Sequence, residues 1–240
     1  MVPGTKSEEG FVQDIFLPQP FLKAFPKSDA VFVEPVARYQ RVLHPLVSIQ
    51  LPAIDPGLSG WVHLVSPIEP YDGCIGDRSK AYWGPYLQPN WIAFRVGTDD
   101  RYELLGDFRF FEAEAAGGEG VKGYLRDHYD EQHSSFSASK AAFARSGQVC
   151  RVDGGQEPTP VAALSQLGGI PEVGNLIWED VEGSAFTYVD GDAAPMTRDG
   201  RSYRFIADVP GWHYRASGAD SILLYYDPVE RIVLETFVFT

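Results

Sequence analysis

The end of the chain limits the fold most. Ile232, Leu234, Thr236 and Val238 alternate with Val233, Glu235, Phe237 and Phe239, the period-two spacing of a β-strand. A second strand is expected over residues 221–227, and Asp227-Pro228-Val229-Glu230 between them makes a turn in which proline fixes φ at the second position. The two runs predict a closing hairpin, and a hairpin needs further strands to bury its apolar face.

Those strands are expected over residues 31–36, 46–54, 60–65 and 91–96 in the first part of the chain, each β-branched or aromatic and bounded by Pro, Gly or Asp. Residues 102–115 extend the pattern, with Phe108, Phe110, Glu112 and Glu114 alternating against Arg109, Phe111, Ala113 and Ala115. Later strands are predicted at 175–178, 185–189 and 201–209, with tight turns at Asp190-Gly191 and Asp199-Gly200. One helical signal spans residues 121–146, where Val121, Tyr124, Leu125, His128 and Tyr129 recur at helical spacing. A break is expected at Ser134 and Ser135, with Ser137 capping a second piece and Gly147 taking the left-handed position after its end.

The resulting class is α+β: mostly antiparallel sheet, with room for two similar halves, and one long or broken central helix. Residues 1–30, rich in Pro, Lys and Ser, read as an arm; residues 31–150 form a strand-rich half with the helix; residues 151–240 form a second strand-rich half packed with the first. A composition of 44% hydrophobic residues, with five Trp, 12 Tyr and 15 Phe against two Met, predicts packed aromatic clusters rather than a coiled coil or a disordered tail. The N-terminal residues lack a basic segment followed by an apolar one, and no run approaches the ~18 apolar residues of a membrane span. A cytoplasmic protein with reduced Cys74 and Cys150 is expected.

Several motifs resemble reactive sites and fail on spacing or charge. Gly118-Glu119-Gly120-Val121-Lys122-Gly123 has the dinucleotide fingerprint, but Glu112, Glu114 and Glu119 around it would repel a pyrophosphate. His128 and His133 lie five residues apart, about 140° around a helix, so they share no metal-binding face, and a solvated face is expected there. Asp190-Gly191-Asp192 lacks the other oxygen ligands of a calcium loop. Gly57-Leu58-Ser59-Gly60 is not a nucleophile elbow, and acids beside Cys74 would raise its thiol pKa. No reaction, catalytic residue, metal or cofactor follows from these patterns.

The charge is distributed unevenly. Between Arg151 and Arg198 stand Asp153, Glu157, Glu172, Glu179, Asp180, Glu182, Asp190 and Asp192, with no Lys, Arg or His, in a chain of net charge −13. A surface of one sign attracts partners of the other, so a basic protein is the expected visitor and nucleic acid is not. The expected contact residues are Glu179, Asp180, Glu182, Asp190 and Asp192. Trp212 and Tyr214 join them, from an aromatic triplet after Pro210-Gly211 that could equally plug the end of a sheet. Tyr82-Trp83-Gly84-Pro85-Tyr86 is a second such cluster.

Residues 164–240 carry three further pieces: Gln166-Leu167-Gly168-Gly169-Ile170-Pro171, the strand from Tyr203 to Val209, and Gly218-Ala219-Asp220 running into the closing hairpin. In these pieces the segment resembles the second half of the YwqG-like family of bacterial domains, with Glu172-Val173-Gly174-Asn175 where the family shows an aromatic residue. The resemblance implies a mixed α/β fold built on antiparallel sheet and no catalytic residues. By analogy with related small acidic bacterial proteins it suggests an immunity protein that occludes a basic secreted toxin. The alternative is a small-molecule-binding protein or enzyme with a pocket walled by Trp61, Trp83, Trp91 and Trp212; a structural subunit is a third. The oligomeric state is left open by the sequence.

Overall fold

In a computed structural model, residues 15, 19–115, 123–152, 157–172, 176–179, 181–189 and 191–239 are described. The first sheet has three antiparallel strands in the order β1–β2–β3: β1 (Leu22–Ala24), β2 (Leu43–Gln50) and β3 (Trp61–Pro67). Two short helices, α1 (Ser28–Val31) and α2 (Val36–Gln40), stand between β1 and β2. Residues 31–36, expected to be a strand, instead link the end of one helix at Val31 to the start of the next at Val36, with only an isolated bridge from Phe32 to Tyr102. Pro35 occupies the N-cap of α2, and the Glu34 carboxylate accepts the Val36 amide at 3.1 Å, meeting the orphan donor of a helix start.

The larger sheet is wholly antiparallel. It begins with β4 (Trp91–Val96) and β5 (Tyr102–Leu104). After α3 (Glu112–Ala115) and α4 (Gly123–Ser146) come the two-residue strands β6 (Cys150–Arg151), β7 (Thr159–Pro160), β8 (Gln166–Leu167), β9 (Phe186–Thr187) and β10 (Met196–Thr197). Then follow β11 (Arg204–Val209), β12 (Ser221–Asp227) and β13 (Ile232–Val238). The order across the six-stranded sheet is β5–β4–β13–β12–β11–β8; β9 pairs with β10, and β6 with β7. The closing hairpin forms as expected, with Arg231 in the left-handed region (φ 53°) and the Asp227 side chain accepting the Val229 amide at 2.9 Å.

Both faces of this sheet are covered. Ile92, Phe94, Ile222, Leu224, Val233 and Phe237 join a core shared with the three-stranded sheet and α4, whereas Trp91, Ala93, Leu223, Tyr225, Ile232 and Leu234 form a second core on the opposite face. The alternation read along β13 divides its side chains between these two cores. The halves divided at residue 150 are not separate units: β4 and β5 pair into the sheet closed by β11, β12 and β13. The three- and six-stranded sheets also differ in strand number and order.

Two further expectations are corrected. Of residues 102–115 only the first three are strand; Phe108–Phe110 is a 3₁₀ turn whose N-cap Asp107 accepts the Arg109 amide, and α3 follows. The long helix is continuous through Ser134 and Ser135. Its inward stripe, Leu125, Tyr129, Gln132, Phe136, Ser139 and Phe143, keeps helical spacing across the expected break, and the Ser135 hydroxyl donates to the Gln132 carbonyl at 3.1 Å. Ser137 is therefore an interior residue, while Gly147 does take φ 73° after the helix end. Val121 and most of the glycine-rich run at residues 118–123 lie outside the described residues, and the segment ahead of that run is helix α3 rather than a strand.

Candidate functional site

The acidic segment is held down by aromatic residues of the second core. Trp178, Phe186 and Tyr188 surround Trp91 with ring centroids 5.8, 5.4 and 5.6 Å from it, and the Trp91 indole N–H donates to the Ile177 carbonyl at 2.8 Å. Gln88 donates to the Ser184 hydroxyl at 2.5 Å, and the Ala185 amide donates to the Pro85 carbonyl at 2.8 Å. With Leu176, Trp178, Phe186 and Tyr188 turned inward, period-two alternation turns Ile177, Glu179 and Val189 outward. Ile177 is 42% and Val189 61% exposed. The strand expected at 175–178 is unpaired over its described residues, 176–178, and that at 185–189 shortens to β9; side-chain anchors hold this segment where backbone ladders were expected.

Glu179, Glu182 and Asp192 are exposed on this segment, and none makes an ion pair with a described residue. Several acids elsewhere are paired, Asp55 with Arg204, Asp99 with Arg101, Asp107 with Arg109, Asp199 with Arg201, and the part-buried Glu114 with both Arg38 and Arg41, while Asp29, Glu103, Asp127 and Asp130 are exposed without an ion pair to a described residue. Asp180 and Asp190 lie outside the described residues, as does Asp153. Glu179 stands close enough to Cys74 to help raise its thiol pKa, behind the larger effects of burial and Asp77.

The aromatic triplet does not join this surface. Tyr214 is fully buried and its hydroxyl donates to the Ala163 carbonyl at 2.8 Å; His213 Nδ1 lies 2.9 Å from the Ala162 carbonyl. The expected partner-contact role of Tyr214 is therefore corrected: it is a core residue that ties residues 162–163 to the sheet. Trp212 is half-buried, edge-on to His213 at 4.5 Å and under Arg151 at 5.1 Å.

The four tryptophans do not wall one pocket. Trp91 is inside the second core; Trp83 packs against the first core and donates to the Gly76 carbonyl at 2.9 Å; Trp61 lies under Lys23 at 3.7 Å; and Trp212 is at β6.

A polar cluster lies under α4 that sequence reasoning missed. His44 Nε2 and His133 Nδ1 are 3.0 Å apart, His128 Nε2 lies 2.9 Å from the Ile68 carbonyl, and Arg215 reaches between β2, β3 and the helix. His128 and His133 are thus half-buried and bonded, not solvated as expected, although they do face different neighbours. Burial and Arg215 hold His44 well below the ordinary imidazole value. Beside them Glu69 is buried, its Oε2 accepting the Glu112 amide at 2.7 Å and the Tyr129 hydroxyl at 3.0 Å. These residues come from four distant segments, and only the helical spacing of His128, Tyr129 and Gln132 hinted at a shared inward face.

A scan against protein-family models, a search of curated proteins and a search of solved structures each find no match to this chain. No helix among the described residues is long and apolar enough to cross a membrane.

Proposed function

We propose that this chain is a non-enzymatic protein-binding module that meets a basic partner through the outward ridge formed by residues 176–179, 181–189 and 191–192. The carrying observation is that Glu179, Glu182 and Asp192 are exposed without an ion pair to a described residue, in a stretch between Arg151 and Arg198 that holds no Lys, Arg or His. Exposed Ile177 and Val189 beside these acids supply the apolar contact that charge alone lacks. A cationic partner adds attraction and relieves like-charge repulsion in the free protein, which raises the association rate more than the final affinity.

The narrower form of the proposal is a cytoplasmic immunity protein that covers the basic surface of a secreted toxin. It rests on analogy with small acidic bacterial proteins of that kind. Affinity capture from the host, run in parallel with wild type and a Glu179→Lys, Glu182→Lys, Asp192→Lys variant, tests the reading. A basic protein retained by wild type at low salt and lost with the variant is the expected result. Identical retention by both proteins would contradict it.

A further inference from the structure

Arg215 is 2% exposed, yet its guanidinium meets only neutral groups. Nε donates to the Ser217 carbonyl at 2.7 Å, Nη2 donates to the Pro67 carbonyl at 2.6 Å, and Nη1 lies 3.4 Å from His44 Nδ1. A guanidinium has five N–H donors, so two remain unused. Among the described residues no carboxylate stands within ion-pair distance of it, and a buried cation without an anion is strongly disfavoured. Burial lowers its pKa to about 10, which still leaves it charged at neutral pH.

Arg215 lines a cavity of 320 Å³ together with Gln132, Ser217, Glu131, His128 and Phe239. Gln132, 2% exposed, donates through Nε2 to the Ser217 hydroxyl at 2.7 Å, while its Oε1 is buried with no hydrogen-bond partner. Ser217, having accepted that bond, keeps its own proton to donate. Glu131 adds an exposed carboxylate on the same wall. Burial keeps His128 below the ordinary imidazole value, so it adds no second cation at neutral pH.

The cavity thus gathers unused donors and a positive charge on Arg215, the carboxylates of Glu131 and Glu69, and the unpaired, buried Gln132 Oε1. A simple anion would leave Gln132 Oε1 unpaired and would face Glu131; a simple cation would leave Arg215 uncompensated. We propose that this cavity binds a free α-amino acid, with the carboxylate on Arg215 and Ser217, the ammonium on Gln132 Oε1 and Glu131, and the side chain against Pro70 and Phe239. The site is independent of the acidic ridge.

Calorimetric titration of the full chain with glycine, L-serine and L-leucine tests this, with acetate and methylammonium as half-ligands. At least one amino acid is expected to saturate at a single site, and each half-ligand to bind at least about tenfold more weakly, because it leaves a buried charged or polar group unpaired. Ser217→Ala, at an exposed residue, and Gln132→Leu are each expected to weaken binding about tenfold. The proposal is overturned if no amino acid saturates by roughly 50 mM, if either half-ligand binds as tightly as the best amino acid, or if neither variant weakens binding.

Discussion

The indole N–H of Trp91, in a central strand, donates to the carbonyl of Ile177 at 2.8 Å and so ties the buried second core to the outward acidic segment. Trp91→Phe keeps an aromatic ring but removes this bond and leaves space beside Phe186. A loss of about 2 kcal/mol is expected from the missing bond and the cavity together. Amide hydrogen exchange should rise across residues 176–189 more than in β12 or β13; a uniform rise would mean that the segment is held some other way.

Glu69 gives a pH dependence of definite sign. Burial pushes its carboxyl up to about 7, against which the Glu112 amide and the Tyr129 hydroxyl act only partly. Between the ordinary value of 4.5 and about 7 the folded protein keeps a proton that the unfolded chain releases. The associated stability is fully present below the unfolded value and is lost as pH rises through about 7. The whole change is roughly 3 kcal/mol at most. Denaturant unfolding at pH 5 and pH 8 should show wild type losing stability relative to Glu69→Gln over that interval, since the amide does not titrate; parallel profiles would refute the assignment.

Glu235, 0% exposed in β13, accepts the Val65 amide through both carboxylate oxygens at 3.2 Å and thereby joins the two sheets. Burial holds its pKa well above the carboxylate range, so a neutral isostere suits the site. Glu235→Gln should change unfolding free energy by less than about 1 kcal/mol, whereas Glu235→Ala, which opens a cavity and orphans the amide, should cost about 3 kcal/mol. Equal effects would show that the hydrogen bond to Val65 contributes little.

Gly76 combines φ 84° with contact against the Phe110 ring, where a Cβ would overlap the ring carbons. Its carbonyl also accepts from the Trp83 indole at 2.9 Å and the Ser79 hydroxyl at 3.1 Å. Gly76→Ala should therefore cost about 3 kcal/mol, the sum of a left-handed penalty and overpacking. Thermal unfolding checks it, with Gly147→Ala as the comparison: that glycine also has positive φ but open space around its Cβ position.

How much was legible in the sequence depended on how local the cause was. The strands β4, β12 and β13 and the hairpin turn were readable because alternation and Pro228 act within a few residues. The inward stripe of α4 was partly readable from Leu125, His128 and Tyr129. Its continuity was not, since Gln132 and Ser139 are polar residues that face inward and their burial is decided by distant neighbours. Residues 108–115 alternate like a strand, but the Asp107 cap and the packing of Phe108 and Phe110 draw them into helical turns. The acidic segment was visible as a charge count, whereas its outward face needed Trp91 to define inside from outside. Arg215 left no local sign, because what sets it apart is that no carboxylate of the described residues comes within ion-pair distance of it in three dimensions.

The central claim is tested most directly by the association rate of the captured basic partner at low salt, measured with wild type and with the Glu179→Lys, Glu182→Lys, Asp192→Lys variant. The ridge predicts a rate at least about tenfold slower for the variant, with the difference shrinking as salt screens the charges. An unchanged rate at low salt would contradict it.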